Sequence, residues 1–196
     1  MWSAALSQNA AHFDAAWKLA RTDYWLEVHA PEPERRGFFE QGIAAGQAAV
    51  TINPRRAESY FWMAASMGGL AESFGLRQGI KYRKPIKEAL ETTLKLDPAF
   101  QQGSADRALG RWYYKVPRLF GGDRKLAEAH LRASLTYNPS STASHFFLAE
   151  LLEDEHRKPE ARAEFQAVLD APLDPDWVPE DREFKEKAGR VLQRLR

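Results

Sequence analysis

The chain has 196 residues, a formal net charge of +1 and no cysteine. Its 44% hydrophobic and 28% charged residues lie in the range of globular proteins, and the near-neutral charge argues against nucleic acid as the main partner. The lack of cysteine excludes disulfides, thiolate zinc sites and a cysteine nucleophile within these residues. We expect one domain over residues 1–196, because nothing in the composition marks a second.

No apolar run approaches the ~20 residues that span a bilayer, so no membrane span is expected. The first residues show no basic segment followed by a long apolar core, and no secretory signal or lipobox cysteine is visible. These features leave the compartment open, because both the cytosol and an oxidising periplasm tolerate a protein without cysteine.

The first pair of helices occupies the N-terminal quarter of the chain. Apolar spacing from Ala4 to His29 predicts one long helix, or two helices broken near Gln8. A second helix is predicted from Glu34 to a stop at Pro54.

The second pair opens with an aromatic helix, from about Glu58 to Phe74, that contains Gly68 and Gly69. Each glycine inside a helix costs about 1 kcal/mol relative to alanine. The pair therefore indicates close approach of another backbone or a ligand, and tight helix packing is the simpler explanation.

A basic segment follows, and we predict an irregular loop over residues 75–87 before a helix from Pro85 to Leu96. The basic loop contains Arg77, Lys81, Arg83, Lys84 and Lys87. Such a loop can bind a carboxylate or a phosphate, although a run of this kind is more commonly a solvated surface.

The third pair has the clearest boundaries. Apolar spacing predicts a helix over Ala105–Tyr114, and Pro117 with Gly121–Gly122 predicts a reversal of the chain. Asp123 is the expected N-cap of a helix over Arg124–Tyr137. The inward residues predicted for this second helix are Leu126, Ala129, Leu131, Ala133 and Leu135.

Helix stops recur at Asn53–Pro54, Asp97–Pro98 and Asn138–Pro139, consistent with a helix-pair repeat of ~34 residues with longer turns. A fourth pair is predicted over residues 143–169, and a charged last helix over Glu180–Arg196 would close the array against solvent. We therefore predict an all-α, tetratricopeptide-like helical-repeat array of about four helix pairs with a C-terminal capping helix. An ordinary helix bundle is the alternative.

The chain shows no catalytic constellation. Its five histidines fall in different elements without a metal-binding spacing, and no GxSxG, GxxxxGK[ST] or GxGxxG motif occurs. We expect a non-enzymatic protein with no metal and no cofactor.

Aromatic residues cluster on the first helix of each pair, which lines the concave face in such arrays. Three consecutive aromatics, as at 112–114, cannot all point inward at a step of about 100° per residue, so one or two should face a groove. The predicted groove residues are Tyr60, Trp62, Arg107, Arg111, Trp112 and Tyr114. An apolar ligand or a peptide would fit such a groove, and core filling is the other explanation for each single aromatic.

One part of the chain resembles a known family, the T component of tripartite ATP-independent periplasmic (TRAP) transporters. The similar segments are Leu109–Pro117, Phe120–Asp123 and Lys125–Leu131, with weaker similarity at Tyr60–Trp62 and Ala64 and at Trp177–Glu180. The resemblance implies a periplasmic helical-repeat protein, often lipid-anchored, that associates with a solute-binding subunit and handles an apolar or carboxylated solute. It also implies a possible homotrimer with a central pore.

Two functional hypotheses follow. The first is an accessory protein of a periplasmic solute transporter, in which the aromatic helices line the groove or pore and the basic loop contributes cations. The alternative is a general tetratricopeptide adaptor that binds a peptide segment, or its C-terminal carboxylate, through Arg107, Arg111 and Lys115.

Overall fold

The computed structural model describes residues 1–195, apart from the side chain of Val28. Within that range it contains ten α-helices, one 3-10 turn and no strand, which confirms the all-α prediction. The helices are α1 Trp2–Gln8, α2 Phe13–His29, α3 Glu32–Ile52, α4 Ala57–Ser73, α5 Leu76–Leu96, α6 Ser104–Lys115, α7 Arg124–Tyr137, α8 Thr142–Asp154, α9 Lys158–Asp170 and α10 Val178–Arg194. The 3-10 turn is Arg118–Phe120.

The helices form two compact units, the first over Met1–Phe100 and the second from Gln101 onward. In the first unit α2 packs on α3 and α4 on α5, while α3 and α2 both contact α4. In the second unit α6 packs on α7, α7 on α8 and α8 on α9, and α10 covers α9 and α8. The four predicted pairs and the capping helix are present. That the whole chain acts as one domain stays a prediction.

The N-terminal segment follows the second of the two predicted arrangements, because α1 ends at Gln8 and α2 begins at Phe13. His12 caps α2 by accepting a hydrogen bond from the backbone N–H of Ala15 at 3.3 Å. Helix packing explains Gly69, since a Cβ there would collide with the ring of Phe39 on α3, whereas a Cβ on Gly68 would meet nothing within 4 Å.

The basic segment is not a loop, so that prediction was wrong. Residues 76–96 form one continuous helix, α5, with Pro85 inside it and a left-handed Gly75 (φ +81°) before it. Proline removes one helical hydrogen bond and crowds the carbonyl four residues earlier, but the buried stripe that contains Ile86, Ala89 and Leu90 holds the helix on α4. The basic residues of the segment are therefore spread along a helix, and Lys84 and Lys87 form i,i+4 ion pairs.

The turn between α6 and α7 agrees with the sequence. Helix α7 spans Arg124–Tyr137, and Asp123 caps it by accepting hydrogen bonds from Lys125 N at 2.8 Å and Leu126 N at 3.1 Å. The predicted inward face of α7 was correct at Leu131, was wrong at Leu126 and Ala129, and is half-buried at Ala133 and Leu135. The buried residues are Ala127, Leu131 and Ser134, whereas Leu126 and Ala129 are exposed. A step of two residues turns the helix by about 200°, so it cannot follow one face.

Candidate functional site

Helices α6 and α8 of the second unit bring two of the predicted groove residues, Arg111 and Tyr114, to one surface. Arg111 Nη1 donates to Glu150 Oε2 at 3.2 Å. The Arg111 guanidinium also lies over the ring of Phe147, 4.3 Å from its centroid. Both contacts hold the planar group in one orientation while the side chain stays partly exposed.

Tyr114 forms the second connection between the two helices. Its hydroxyl donates to Asp154 Oδ2 at 2.7 Å, and Arg124 Nη2 approaches the same carboxylate oxygen at 3.6 Å. Burial and the bond to Asp154 raise the pKa of Tyr114 far above its ordinary value. Tyr114 is therefore a neutral hydrogen-bond donor and is unsuited to act as a general base. We call Arg111, Tyr114, Arg124, Phe147, Glu150 and Asp154 the α6–α8 row.

Local sequence explains this arrangement. Arg111 and Tyr114 are three residues apart on α6, and Glu150 and Asp154 four apart on α8, so each pair shares one helix face. The neighbouring Trp112 and Tyr113 point the other way, are buried, and meet edge to face with ring centroids 5.0 Å apart. The expectation that not all three consecutive aromatics point inward is confirmed.

Gly110 sets the spacing behind the row. A Cβ at this position would lie 2.6 Å from Leu131 Cγ and 3.0 Å from the Ala127 carbonyl oxygen, both on α7. The missing side chain thus lets α6 and α7 approach closely.

A recess of about 670 Å³ lies beside the row, at the turn between α6 and α7. Four cationic side chains line it: Lys115, Arg118, Arg124 and Lys125. Its two carboxylates are both engaged, because Asp123 caps α7 and Glu155 pairs with Arg157 at 3.2 Å.

The other predicted groove residues lie elsewhere. Trp62 and Tyr60 belong to the first unit, where Trp62 is buried beside Tyr24 and Phe61, and the Tyr60 hydroxyl donates to the Pro54 carbonyl at 3.2 Å. Arg107, on α6, is half-buried and donates to Ser104 Oγ at 2.7 Å. A groove role for Trp62 and Trp112 stays a prediction, and both contribute to their cores.

Sequence reasoning missed a pair of buried acids on α2. Asp23 is 3% exposed and Glu27 is fully buried. Burial raises the pKa of Asp23 to about 6. Burial, together with repulsion from the Asp23 carboxylate, raises the pKa of Glu27 to about 9. The Ser66 hydroxyl on α4 offsets part of this rise in pKa. It forms no hydrogen bond of normal geometry with the Glu27 carboxylate. The signal was available, because Asp23 and Glu27 continue the buried stripe of Ala16 and Ala20 at helical spacing.

Two histidines of the second unit form hydrogen bonds between paired helices. His130 Nδ1 lies 2.7 Å from Asp106, and His145 Nδ1 lies 2.6 Å from Glu164. Burial alone would lower the pKa of His145, but the bonds to Glu164 and to the Pro139 carbonyl outweigh it and raise the pKa. Both contacts join one helix of a pair to the other.

Among residues 1–195 no group of three or more histidine or acidic side chains is placed to hold a metal ion. In the same range none of the helices combines the length and the apolar character needed to cross a membrane.

The chain is similar to known proteins both in sequence and in fold. A family model described as "Regulator of microtubule dynamics protein 1-3" matches residues 2–196. Regulator of microtubule dynamics protein 3 of Rattus norvegicus is 29% identical over 141 residues, which are 71% of this chain and 30% of that protein. Regulator of microtubule dynamics protein 2 of Homo sapiens is 26% identical over 133 residues, which are 67% of this chain and 32% of that protein. The chain thus spans about a third of the length of these relatives.

Solved structures with the same fold include a thermophilic TPR protein of Thermus thermophilus, with a TM-score of 0.72 and 22% identity over 98% of this chain and 87% of that one. YrrB, titled a TPR protein with an unusual peptide-binding site, has a TM-score of 0.58 and 19% identity over 100% and 90% of the two chains. These likenesses confirm the tetratricopeptide-like fold.

The family match overturns the resemblance to the T component of TRAP transporters, and with it the periplasmic location and the role in solute transport. Of the segments that suggested it, Leu109–Pro117 covers the second half of α6 and its end, and Phe120–Asp123 lies in the turn between α6 and α7. The chain belongs to the family of regulator of microtubule dynamics proteins 1 to 3.

Proposed function

We propose that this chain is a non-enzymatic adaptor that binds a segment of a partner protein on the outward face of α6 and α8. The fold is that of a helical-repeat scaffold, and the charged groups of the α6–α8 row are paired across helices. Such pairing suits a surface of fixed shape better than a site of proton transfer. Membership of a family described as regulators favours a protein partner over a small solute.

The observation that carries the proposal is the line of cations on α6. Arg107, Arg111 and Lys115 follow one another at four-residue intervals, so they share one helix face. Arg111 is the best placed of the three, because Phe147 supports its flat guanidinium and Glu150 fixes its rotation.

A carboxylate is the group that this line would bind. Guanidinium presents several N–H donors in a fixed fork that matches the two oxygens of a carboxylate. A C-terminal carboxylate of a peptide would bind at Arg111, with Arg107 one turn away as the second cation. The extended segment would then lie along α6 and α8.

The test begins with a displayed library of random peptides that carry free C-termini, selected on the purified chain. Selected peptides are synthesised with a free carboxylate and with a C-terminal amide, and their affinities are measured by calorimetry. Loss of a charge-assisted contact costs about 1.5–3 kcal/mol, so amidation and Arg111→Ala should each weaken binding about tenfold or more.

Arg132→Ala is the matched control, because Arg132 lies on the exposed face of α7 and pairs with Glu128 of the same helix. It should leave the affinity unchanged. A library that yields no binder, or binders indifferent to both amidation and Arg111→Ala, would contradict the proposal.

The identity of the partner is a finer question. Because the relatives are named for microtubule dynamics, we propose polymerised tubulin as the first protein to test, by co-sedimentation. Arg111→Ala should reduce the pelleted fraction if tubulin itself is the partner, while Arg132→Ala should not.

A further inference from the structure

The turn between α6 and α7 presents apolar side chains to solvent. Leu119 is 87% exposed, Phe120 41% and, at the start of α7, Leu126 43%. Isolated exposed apolar residues are common on protein surfaces. A patch of them surrounded by charged residues, in contrast, is typical of an interaction site. We call Lys115, Arg118, Leu119, Phe120, Lys125 and Leu126 the turn surface.

The turn that presents them is tightly held. Phe120 N donates to the Pro117 carbonyl at 2.8 Å, and Asp123 N donates to the Tyr113 carbonyl at 3.0 Å. Gly121 adopts a left-handed conformation at φ +105°, which glycine does without strain. A Cβ on Gly122 would collide with the Val116 carbonyl. The exposure of Leu119 is therefore a property of a fixed turn, and a binding partner would not have to order it.

The surroundings of the turn are cationic. Lys115, Arg118 and Lys125 all line the recess, and among the described residues no carboxylate forms an ion pair with any of the three. The two carboxylates that line the recess are engaged in the helix cap and in the Arg157 pair. Four cationic and two anionic side chains line the recess, so its lining carries an excess of positive charge.

We propose that the turn surface docks an acidic segment of a partner protein that carries an apolar anchor residue. Carboxylates of the segment pair with Arg118, Lys115 and Lys125, while the anchor packs on Leu119 and Phe120. Charge complementarity selects this occupant: a second copy of the same surface would bring like charges together. The cations Lys115, Arg118 and Lys125 line a concave recess, which a chain segment can enter more readily than a flat bilayer can.

The turn surface shares Lys115 with the line of cations on α6 but does not include Arg111, so a variant at Arg111 distinguishes the two proposals. Arg124 remains part of the α6–α8 row through Asp154 and is not needed here.

The test uses the full chain and three fluorescein-labelled peptides of equal length, each with an amidated C-terminus so that none offers the terminal carboxylate proposed to bind Arg111. The first has glutamates around a central phenylalanine, the second has lysine in place of each glutamate, and the third has the glutamates with serine at the centre. Binding is measured by fluorescence anisotropy. The wild type should bind the first peptide. It should bind the third about threefold to tenfold more weakly, because the apolar anchor is lost, and should fail to bind the second, because like charges repel.

Two variants and one control locate the site. Arg118→Glu combined with Lys125→Glu should weaken binding of the first peptide at least about tenfold, and Leu119→Ser should reduce the preference for a central phenylalanine. Arg182→Glu changes an exposed cation on α10 of the same unit and should have no effect. Arg111→Ala should also leave this binding unchanged, which separates the result from the adaptor site. Circular dichroism confirms that the exposed substitutions leave the helices intact.

Several outcomes would overturn the proposal. They are equal binding of the lysine peptide, absence of binding to the first peptide, and insensitivity to the double charge reversal. A further contradicting outcome would be that the wild type binds vesicles of phosphatidylcholine and phosphatidylserine, that the double variant does not, and that neither binds the acidic peptide. That pattern would assign the surface to a membrane instead.

Discussion

Both units of the chain are built from paired helices, but they differ in whether the polar groups between those helices have hydrogen-bond partners. In the second unit, polar groups between helices have partners: His145 binds Glu164, and Thr142 binds Asp181. In the first unit, Asp23 and Glu27 are buried, and Asp23 Oδ2 and both Glu27 carboxylate oxygens accept no hydrogen bond from any described group. A buried polar group costs free energy unless it is paired. The comparison predicts that the first unit is destabilised by its own acids and that the second is stabilised by its polar pairs.

The sign of the pH effect follows from the pKa of Glu27. A folded-state pKa near 9 is above the ordinary value of 4.5, so the folded chain holds a proton that the unfolded chain releases. Stability of the first unit therefore falls as pH rises from about 4.5 toward 9. The same holds for Asp23 over the interval between its ordinary value of 3.8 and about 6.

The largest expected effect comes from the core of the first unit. Trp62→Ala removes a buried side chain that packs on Tyr24 and Phe61, and loss of a buried tryptophan costs about 3–5 kcal/mol. Urea denaturation monitored by circular dichroism measures it. Trp25→Ala is the control, because Trp25 is half-exposed; equal losses for the two variants would contradict the assignment of Trp62 to the core.

Glu27→Gln tests the buried acid directly. The substitution keeps the shape of the side chain and removes the ionisable group, so it should stabilise the chain at pH 7 by about 1–3 kcal/mol. The gain should shrink as pH falls to 4.5 and below, where Glu27 becomes protonated in the unfolded chain as well, and grow toward pH 9.

Urea titrations at pH 5 and pH 8 compare the two conditions, with Glu40→Gln on the exposed surface as the control. A gain that does not change between the two pH values would show that Glu27 is not protonated in the folded state.

Tyr114→Phe tests a polar pair of the second unit. It removes the bond to Asp154 and should cost about 1–2 kcal/mol of unfolding free energy. Tyr137→Phe, at an exposed position of α7, should cost little. If both variants are as stable as the wild type, Tyr114 does not help to hold α6 on α8.

The smallest effect is expected at His145. Its pKa is raised in the folded state, so its contribution is fully present below the unfolded value of 6.5 and is lost as pH rises through the folded value. His145→Gln should therefore cost about 1 kcal/mol at pH 6 and less at pH 8. A cost that grows with pH would reverse the sign and contradict the pair with Glu164.

Sequence patterns were sufficient where local chemistry decides structure. The limits of α7 and its Asp123 cap depend on residues within one turn of each other, and so does the reversal at Pro117. They were insufficient at α5, because a proline that can begin a helix can also lie inside one when an apolar stripe holds the helix in place.

The candidate site required the structure. Arg111 and Tyr114 were named from their helix, but their partners Glu150 and Asp154 lie 39 and 40 residues away along the chain. Only the packing of α6 on α8 brings the four together, and no local pattern specifies it. The TRAP resemblance failed for a related reason, since its similar segments encode a helix turn that many repeat proteins can share.

The most direct test of the adaptor account is calorimetric titration of a selected peptide, with its C-terminus free and amidated, into the wild type and Arg111→Ala. The account predicts micromolar-or-better binding of the free peptide to the wild type, and about tenfold weaker binding after either change. Changing both together should add little, because both remove the same contact. Full additivity of the two losses would contradict the assignment of the carboxylate to Arg111.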